Sequence, residues 1–278
     1  MIVLTGASGV IGRALVARLH AERLPFAVLD REALAGSAVL TEALSGYPSV
    51  LVHLAAVVPQ PPAIPDDDAS AGCTRNIDTR VLEAARLLDC HVVYASGCSL
   101  YTKAGATPRR EEEAGAEPPP VSAYLRAKQQ GERDFLSSGR ATVLRISAPL
   151  GTGLPQSTVM GRFLAAAKAG GILEVWGSGQ REQNYVDVAD LADALLRALV
   201  LRPRELINIA ADHPLTMLEL AQQAVQACGR GTVRLAGKPD PRDGELARYS
   251  NRKAAELMGW RPRTSMRTSL ERLSKATL

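Results

Sequence analysis

Through its first 150 residues the chain alternates short apolar runs rich in β-branched residues with helix-length amphipathic segments. The runs are Ile2–Thr5, Phe26–Asp30, Val50–Leu54, His91–Ala95 and Ala141–Ile146. Each is too short to be a helix, and most are separated by more chain than a hairpin uses. That order folds as a parallel sheet with helices on both faces, so the expected class is α/β. Between Asp30 and Val50 there is room for little more than a helix around Ala38–Leu44, as though one strand–helix unit had been trimmed. Loops rich in Pro, Gly and charge follow two strands, at Pro59–Asp68 and Lys103–Pro120. In a doubly wound sheet such loops lie at the carboxyl edge, where ligands bind.

Composition narrows the partners. Forty-six per cent hydrophobic residues in 278 exclude a disordered or fibrous chain. The 33 basic residues exceed the 29 acidic ones by four and are scattered, so no nucleic-acid partner is expected and the basicity suits at most an anionic small molecule. Aromatics make up only 4%, too few for a base-stacking surface. Cys73, Cys90, Cys98 and Cys228 form no CxxC pair and adjoin no His, which indicates neither a zinc site nor a disulfide framework and fits a cytoplasmic location. No run reaches the roughly 18 apolar residues of a membrane span, and the strand-like pattern starting at residue 2 leaves no room for a leader.

The first strand runs into Thr5-Gly6-Ala7-Ser8-Gly9-Val10-Ile11-Gly12 and then a helix with apolar residues at Val10, Ala14, Leu15 and Leu19. In that setting the three glycines have separate tasks. Gly6 permits a tight turn, Gly9 lets a pyrophosphate approach the backbone, and Gly12 allows helix and strand to pack closely. The N–H groups opening the helix then face the phosphates. Asp30 ends the second strand about 20 residues on, where a carboxylate accepts hydrogen bonds from the adenine-ribose hydroxyls. This favours NAD, while Arg31 beside it leaves NADP open. The expected fold is therefore a Rossmann-type, doubly wound parallel sheet with a smaller carboxyl-terminal lobe. Residues 1–150 form the dinucleotide-binding domain, 182–208 return to it, and 151–278 form the substrate-binding lobe.

Tyr124 and Lys128 stand four apart at the start of a helix, behind Pro118-Pro119-Pro120. Positions i and i+4 share a helix face, so phenol and ammonium can converge. A nearby ammonium favours phenolate and lowers the phenol pKa, which suits proton exchange with a carbinol oxygen while a nicotinamide carries the hydride.

Taken together these motifs resemble the extended short-chain dehydrogenase/reductase family, in its branch of nucleotide-sugar epimerases, dehydratases and ketoreductases. The family's TGxxGxxG corresponds to Thr5–Gly12, its strand ending in HxA(A) to Val50–Ala56 with His53, and its YxxxK to Tyr124 and Lys128, with Glu132 four further on. Gly177–Arg181 through Tyr185-Val186-Asp187 is similar to its GxGxxRxFxYVxD segment, Pro241–Glu245 to its second arginine segment, and Asn251–Trp260 to its closing helix. The resemblance implies a nucleotide-activated sugar as substrate, with Arg181 and Arg242 pinching one diphosphate. It implies a cofactor lying along Ser8, Val10, Ile11, Leu54, Ala55, Ala56 and Asn76 as well as the glycines, Asp30, Tyr124 and Lys128. A homodimer packed through the helix bearing Tyr124 is also implied.

Two positions depart from the family pattern. Where it carries two small hydroxyl residues, this chain has Ser96-Gly97, so the second, catalytic hydroxyl is missing. Ser96, Ser99 or a water is left to hold the substrate oxygen. Ala148 stands where many nucleotide-sugar members carry Asn. The acidic residues that family dehydratases place beside the catalytic hydroxyl are here Cys98 and Ser99, which favours epimerisation or keto reduction over dehydration. A reductase of a non-sugar carbonyl and a nucleotide-binding sensor without activity remain alternatives.

Other polar clusters read as structural. His53 on its apolar strand is expected to be a satisfied core residue, Asp66-Asp67-Asp68 a solvated run with no metal, and Arg109-Arg110 beside Glu111-Glu112-Glu113 a mutually screened surface loop. Thr216 with Glu219 is a capping-box helix start.

Overall fold

The computed structural model describes residues 1–30, 32–36, 42, 50–59, 68–101, 107–116 and 122–276. Arg31, nearly all of the helix expected at Ala38–Leu44, Asp66, Asp67 and Pro118–Pro120 lie outside the described residues.

Strands β1 (Ile2–Thr5), β2 (Phe26–Leu29), β3 (Val50–His53), β4 (His91–Gly97) and β5 (Ala141–Ile146) form a parallel sheet. Helices α1 (Val10–Ala21), α2 (Asp68–Leu87) and α3 (Ala123–Ser137) are interleaved with them. Further along come β6 (Ala148–Leu150), α4 (Val159–Lys168), β7 (Ile172–Val175), β8 (Glu182–Gln183), β9 (Tyr185–Asp187) and α5 (Val188–Leu201). The chain then adds β10 (Leu206–Ile209), β11 (Leu215–Thr216), α6 (Met217–Cys228), β12 (Thr232–Leu235), α7 (Arg252–Met258) and α8 (Met266–Lys275). The six strands of the main sheet are ordered β10-β5-β4-β3-β1-β2.

Alternate residues of each strand enter opposite cores, as the period of two demands. Leu4, Val52, Val93 and Leu144 join α1 and α5 on one face, while Val3, Leu51, Val92 and Val143 pack with Val81 and Phe135 on the other. Both faces are covered, which explains why these strands read as continuous apolar runs. A third core, around Leu150, Phe163, Leu173, Leu220 and Leu270, belongs to the chain beyond the sheet.

β2 and β3 flank β1 on its two sides, so strand order reverses at β1 and a crevice opens there at the carboxyl edge. Two carboxylates tie the later segments to this edge. Asp187 caps α5 by accepting from the Ala189 N–H at 2.8 Å and also receives Ser269 and Arg272 of α8, each at 2.5 Å. Asp190 accepts from the Arg263 and Thr264 N–H groups, and its carbonyl receives the indole N–H of the fully buried Trp260 at 3.0 Å. The expected box at Thr216 and Glu219 is formed in both directions at the start of α6.

Candidate active site

Gly6 leaves β1 with φ at +72°, in the left-handed region. A Cβ there would stand 2.7 Å from the carbonyl carbon of Leu54 and from the Ala55 nitrogen, so the turn packs directly on the chain leaving β3. A Cβ on Gly12 would lie 2.2 Å from the Gly6 carbonyl oxygen, and its absence seats α1 on the turn. Gly9 differs: among the described residues the single atom near its Cβ position is the Gly6 oxygen, at 3.3 Å. Among the described residues no side chain caps α1. Its opening N–H groups and the open backbone at Gly9 thus fit the pyrophosphate of a dinucleotide. Asp30 stands exposed just after β2, its Oδ1 accepting from the Ala33 N–H at 2.9 Å.

A cavity of about 430 Å³ lies at the same carboxyl edge. Ile11, Leu54 and Ala56 line it from the glycine side. Tyr124 and Lys128, on successive turns of α3, line it together with Ser96, Gly97 and Ser99. Arg242 stands in its wall from the carboxyl-terminal part of the chain. The structure thus brings Ile11, Leu54, Ala56, Ser96, Ser99, Tyr124, Lys128 and Arg242 to one cavity.

Beneath the cavity is a buried polar network. The ring Nε2 of His53 donates to Asp78 Oδ1 (2.9 Å), and its Nδ1 accepts from the Thr5 hydroxyl (2.7 Å), the tautomer being fixed by the acceptor-only carboxylate. Tyr94 donates to Asp78 Oδ2 at 2.7 Å. Gly131 of α3 is needed here, because a Cβ would come within 2.3 Å of the Tyr94 hydroxyl. The Lys128 ammonium sits 3.9 Å from the centre of the Tyr94 ring. On the next turn Glu132 receives Arg145 through two bonds of 2.8 and 2.7 Å, both residues being buried. Burial works to raise the Asp78 carboxyl, but hydrogen bonds from His53 and Tyr94 and the charge of Lys128 together hold it below its ordinary value. Lys128 is lowered by burial against the pull of Asp78 and Glu132.

Tyr124 corrects the sequence reading. Its phenol is pushed up to about 12, first by burial and then by the charge of Asp78. Proximity along the helix suggested that Lys128 would lower it. In three dimensions the ammonium sits on the Tyr94 ring and feels the Asp78 charge, and desolvation of the phenol dominates.

The remaining expected residues divide. Asn76 is exposed on α2 and is not among the residues lining the cavity. The buried polar positions of that helix are Thr74, which receives the Val57 N–H at 3.1 Å, and Asp78. Helical phase places Asn76 outward and its neighbours inward. His53 is a satisfied core residue, as expected. Arg109 and Glu111, expected as surface residues, are built into the wall instead. Arg109 lines the cavity and exchanges backbone bonds with Arg248 and Ser250, and the buried Glu111 accepts from the Asn208 N–H at 2.8 Å.

Arg242 pairs with Glu245 at 2.6 Å and Arg181 with Asp240 at 2.7 Å. Arg181, Asp240 and Pro241 also line a second recess of about 520 Å³, bounded by Phe163 and the exposed Trp176. Pro241 and Arg242 are consecutive, so the arginine segment borders both hollows.

Asp78, Tyr101 and Ser147 were not singled out by the sequence. Asp78 left one signal, a carboxylate on the apolar stripe of α2 between Ala71 and Val81.

The chain matches the model of the NAD dependent epimerase/dehydratase family over residues 2–210. It is 27% identical to the UDP-glucose 4-epimerase of Mycolicibacterium smegmatis, over 95% of this chain and 94% of that protein. A dTDP-4-dehydro-6-deoxy-D-allose reductase of Streptomyces bikiniensis is 30% identical over 42% of this chain and 36% of its own length. The structure of Thermus thermophilus UDP-glucose 4-epimerase, a complex with NAD, superposes with a TM-score of 0.83 at 24% identity, covering 97% of this chain and 96% of that one. Among the described residues no helix is long and apolar enough to cross a membrane.

Proposed function

Because the chain belongs to the NAD dependent epimerase/dehydratase family, we propose that this NAD-dependent enzyme acts on a nucleotide-activated sugar, by epimerisation or keto reduction at a sugar carbon. The observation that carries the reading is the cavity lined by Tyr124, Lys128 and Arg242, with Arg181 in a second recess bordered by the adjoining Pro241. A hydroxyl-bearing ring suits the first hollow, a diphosphate the two guanidinium groups, and a nucleobase the recess beside Trp176. The relatives named above act on such compounds according to their names.

The cofactor would lie along Gly6, Gly9 and Gly12 with its ribose at Asp30, and once bound it supplies a hydride acceptor or donor. The chain's own residues manage the proton. With its pKa near 12, Tyr124 is a phenol at neutral pH, ready to donate to an oxygen that gains charge as a ketone is reduced. In the opposite direction the phenol must give up its proton, a step that burial and the charge of Asp78 oppose. The Tyr94 ring, held by Asp78, lies against the Lys128 ammonium. In this reading residues from Gly151 onward supply the substrate-binding lobe, and NAD is preferred to NADP through the Asp30 carboxylate.

Calorimetric titration with UDP, dTDP and inorganic pyrophosphate tests the reading. The native protein should bind at least one nucleoside diphosphate, and Arg181→Ala/Arg242→Ala should weaken that binding at least about tenfold while NAD affinity holds. Unchanged affinity in the double variant would point to a non-sugar carbonyl substrate.

A further inference from the structure

Three serine hydroxyls and one thiol surround the floor of the Tyr124 cavity, and they differ in what a ligand can touch. Ser96 and Ser147 are 8% and 5% exposed, and their Oγ atoms are buried with no hydrogen-bond partner among the described residues. Both residues line the cavity, but their hydroxyl oxygens expose almost no surface to it. Cys98 is buried, its thiol donates to the Arg145 carbonyl at 3.2 Å, and burial pushes that thiol well above its ordinary pKa. Ser99 differs from all three, being an exposed residue in the wall of the cavity.

Its position has a further property. The Ser99 Oγ lies 3.2 Å from the point where a Cβ on Gly97 would stand. Gly97 has φ −137° and ψ 142°, an extended conformation open to any residue, so the backbone does not demand glycine there. The missing side chain instead leaves room for Ser99, carried inward by the short 3-10 turn Cys98–Leu100. The hydroxyl of residue 99 thus reaches the space that a side chain at the end of β4 would otherwise fill.

We propose that Ser99 is the second hydrogen-bond donor to the reacting oxygen of the substrate, a catalytic residue set two positions beyond the strand end and working opposite Tyr124. The proposal rests on the reading of this cavity as the site of sugar oxidoreduction. When a sugar ketone is reduced, a hydride from the reduced nicotinamide adds to the carbon, the C=O π bond opens onto oxygen, and the Tyr124 proton forms the new O–H bond. Ser99 keeps its proton and donates a hydrogen bond to the remaining lone pair as charge develops. In the oxidation direction the same donor holds the carbinol oxygen while Tyr124, already deprotonated to the phenolate, takes the carbinol proton.

The test is a single-turnover experiment on the full chain loaded with NAD, mixed in turn with UDP-glucose, UDP-glucuronic acid and dTDP-glucose, following the absorbance of the reduced nicotinamide. With the substrate that reacts, Ser99→Ala should slow the step about 10²-fold while NAD affinity stays the same. Ser99→Thr, which keeps the hydroxyl, should stay near the native rate. The double variant Gly97→Ser/Ser99→Ala returns a hydroxyl to the vacated space and should recover at least about tenfold over Ser99→Ala alone. A native rate in Ser99→Ala overturns the proposal, and so does a slow Ser99→Ala that neither the Thr variant nor the double variant improves. No reduction by the native protein with any of the three sugars contradicts the nucleotide-sugar reading itself, and the assignment of Ser99 falls with it.

Discussion

The charged groups under the Tyr124 cavity and those around its rim are built on opposite terms. Below, Glu132 and Arg145 are 4% and 1% exposed and meet in a two-bond fork, and Asp78 is held by His53 and Tyr94 at once. At the rim, the Arg242 and Glu245 side chains pair while still 61% and 44% exposed. Arg181 and Asp240, at 14% and 8%, stand between these extremes. A desolvated pair cannot exchange partners without leaving a bare charge in the interior. An exposed pair can trade its carboxylate for a phosphate at small cost. The interior set is locked in place, and the rim set is free to exchange partners.

Removing one partner from each region should give unequal results. Glu132→Gln leaves the Arg145 guanidinium buried without its counter-charge and should cost about 3–5 kcal/mol in urea unfolding. Equal losses for Glu132→Gln and Arg242→Ala would break the contrast.

A buried base away from the cavity sharpens it. Burial, followed by the charges of Arg202, Arg204 and Arg140, lowers His91 to about 4. Its ring must stay neutral in the folded protein, whereas in the unfolded chain it takes up a proton near its ordinary 6.5. Its contribution is therefore complete above pH 6.5 and is lost as pH falls toward 4, by about 2–3 kcal/mol over that window. Unfolding measured between pH 7 and 4.5 should slope more steeply in the native protein than in His91→Gln.

Asp78→Asn should cost about 2 kcal/mol, since charge-assisted bonds from His53 and Tyr94 are weakened. It should also move Tyr124 down from about 12 by removing a nearby negative charge, which a tyrosinate absorbance titration against Tyr124→Phe would show. Because the Asp78 carboxyl is held low in the folded state, its contribution is present above the ordinary carboxylate range and disappears as pH drops through the lowered value. The smallest effect on stability belongs to Arg242→Ala, at less than about 1 kcal/mol.

What the sequence disclosed was local. The glycine turn, the helix bearing Tyr124 and Lys128 and the Thr216 capping box are each set within a few neighbouring residues, and each is formed in the structure. The strand runs disclosed the sheet because burial on both faces leaves its mark residue by residue. Asp78 was hidden because its partners lie 25 and 16 positions away. The Tyr124 pKa was misjudged for the same reason, since a helix-face argument sees Lys128 and not the carboxylate contributed by α2. Asn76 and Thr74 differ by half a helical turn, and only the packing of α2 decides which of them faces inward. Glu111 gave no sign of burial because its acceptor role depends on Asn208, on the last strand of the sheet.

The central claim is that the Tyr124 phenol exchanges a proton with a substrate oxygen beside a nicotinamide seated on the glycine turn. Rapid mixing of NAD-loaded protein with the reacting nucleotide sugar, native against Tyr124→Phe, tests it most directly. The reduced-nicotinamide absorbance should rise within one turnover in the native protein and fall in rate by at least about 10²-fold in the variant, with NAD affinity preserved. Equal rates in the two proteins would contradict the claim.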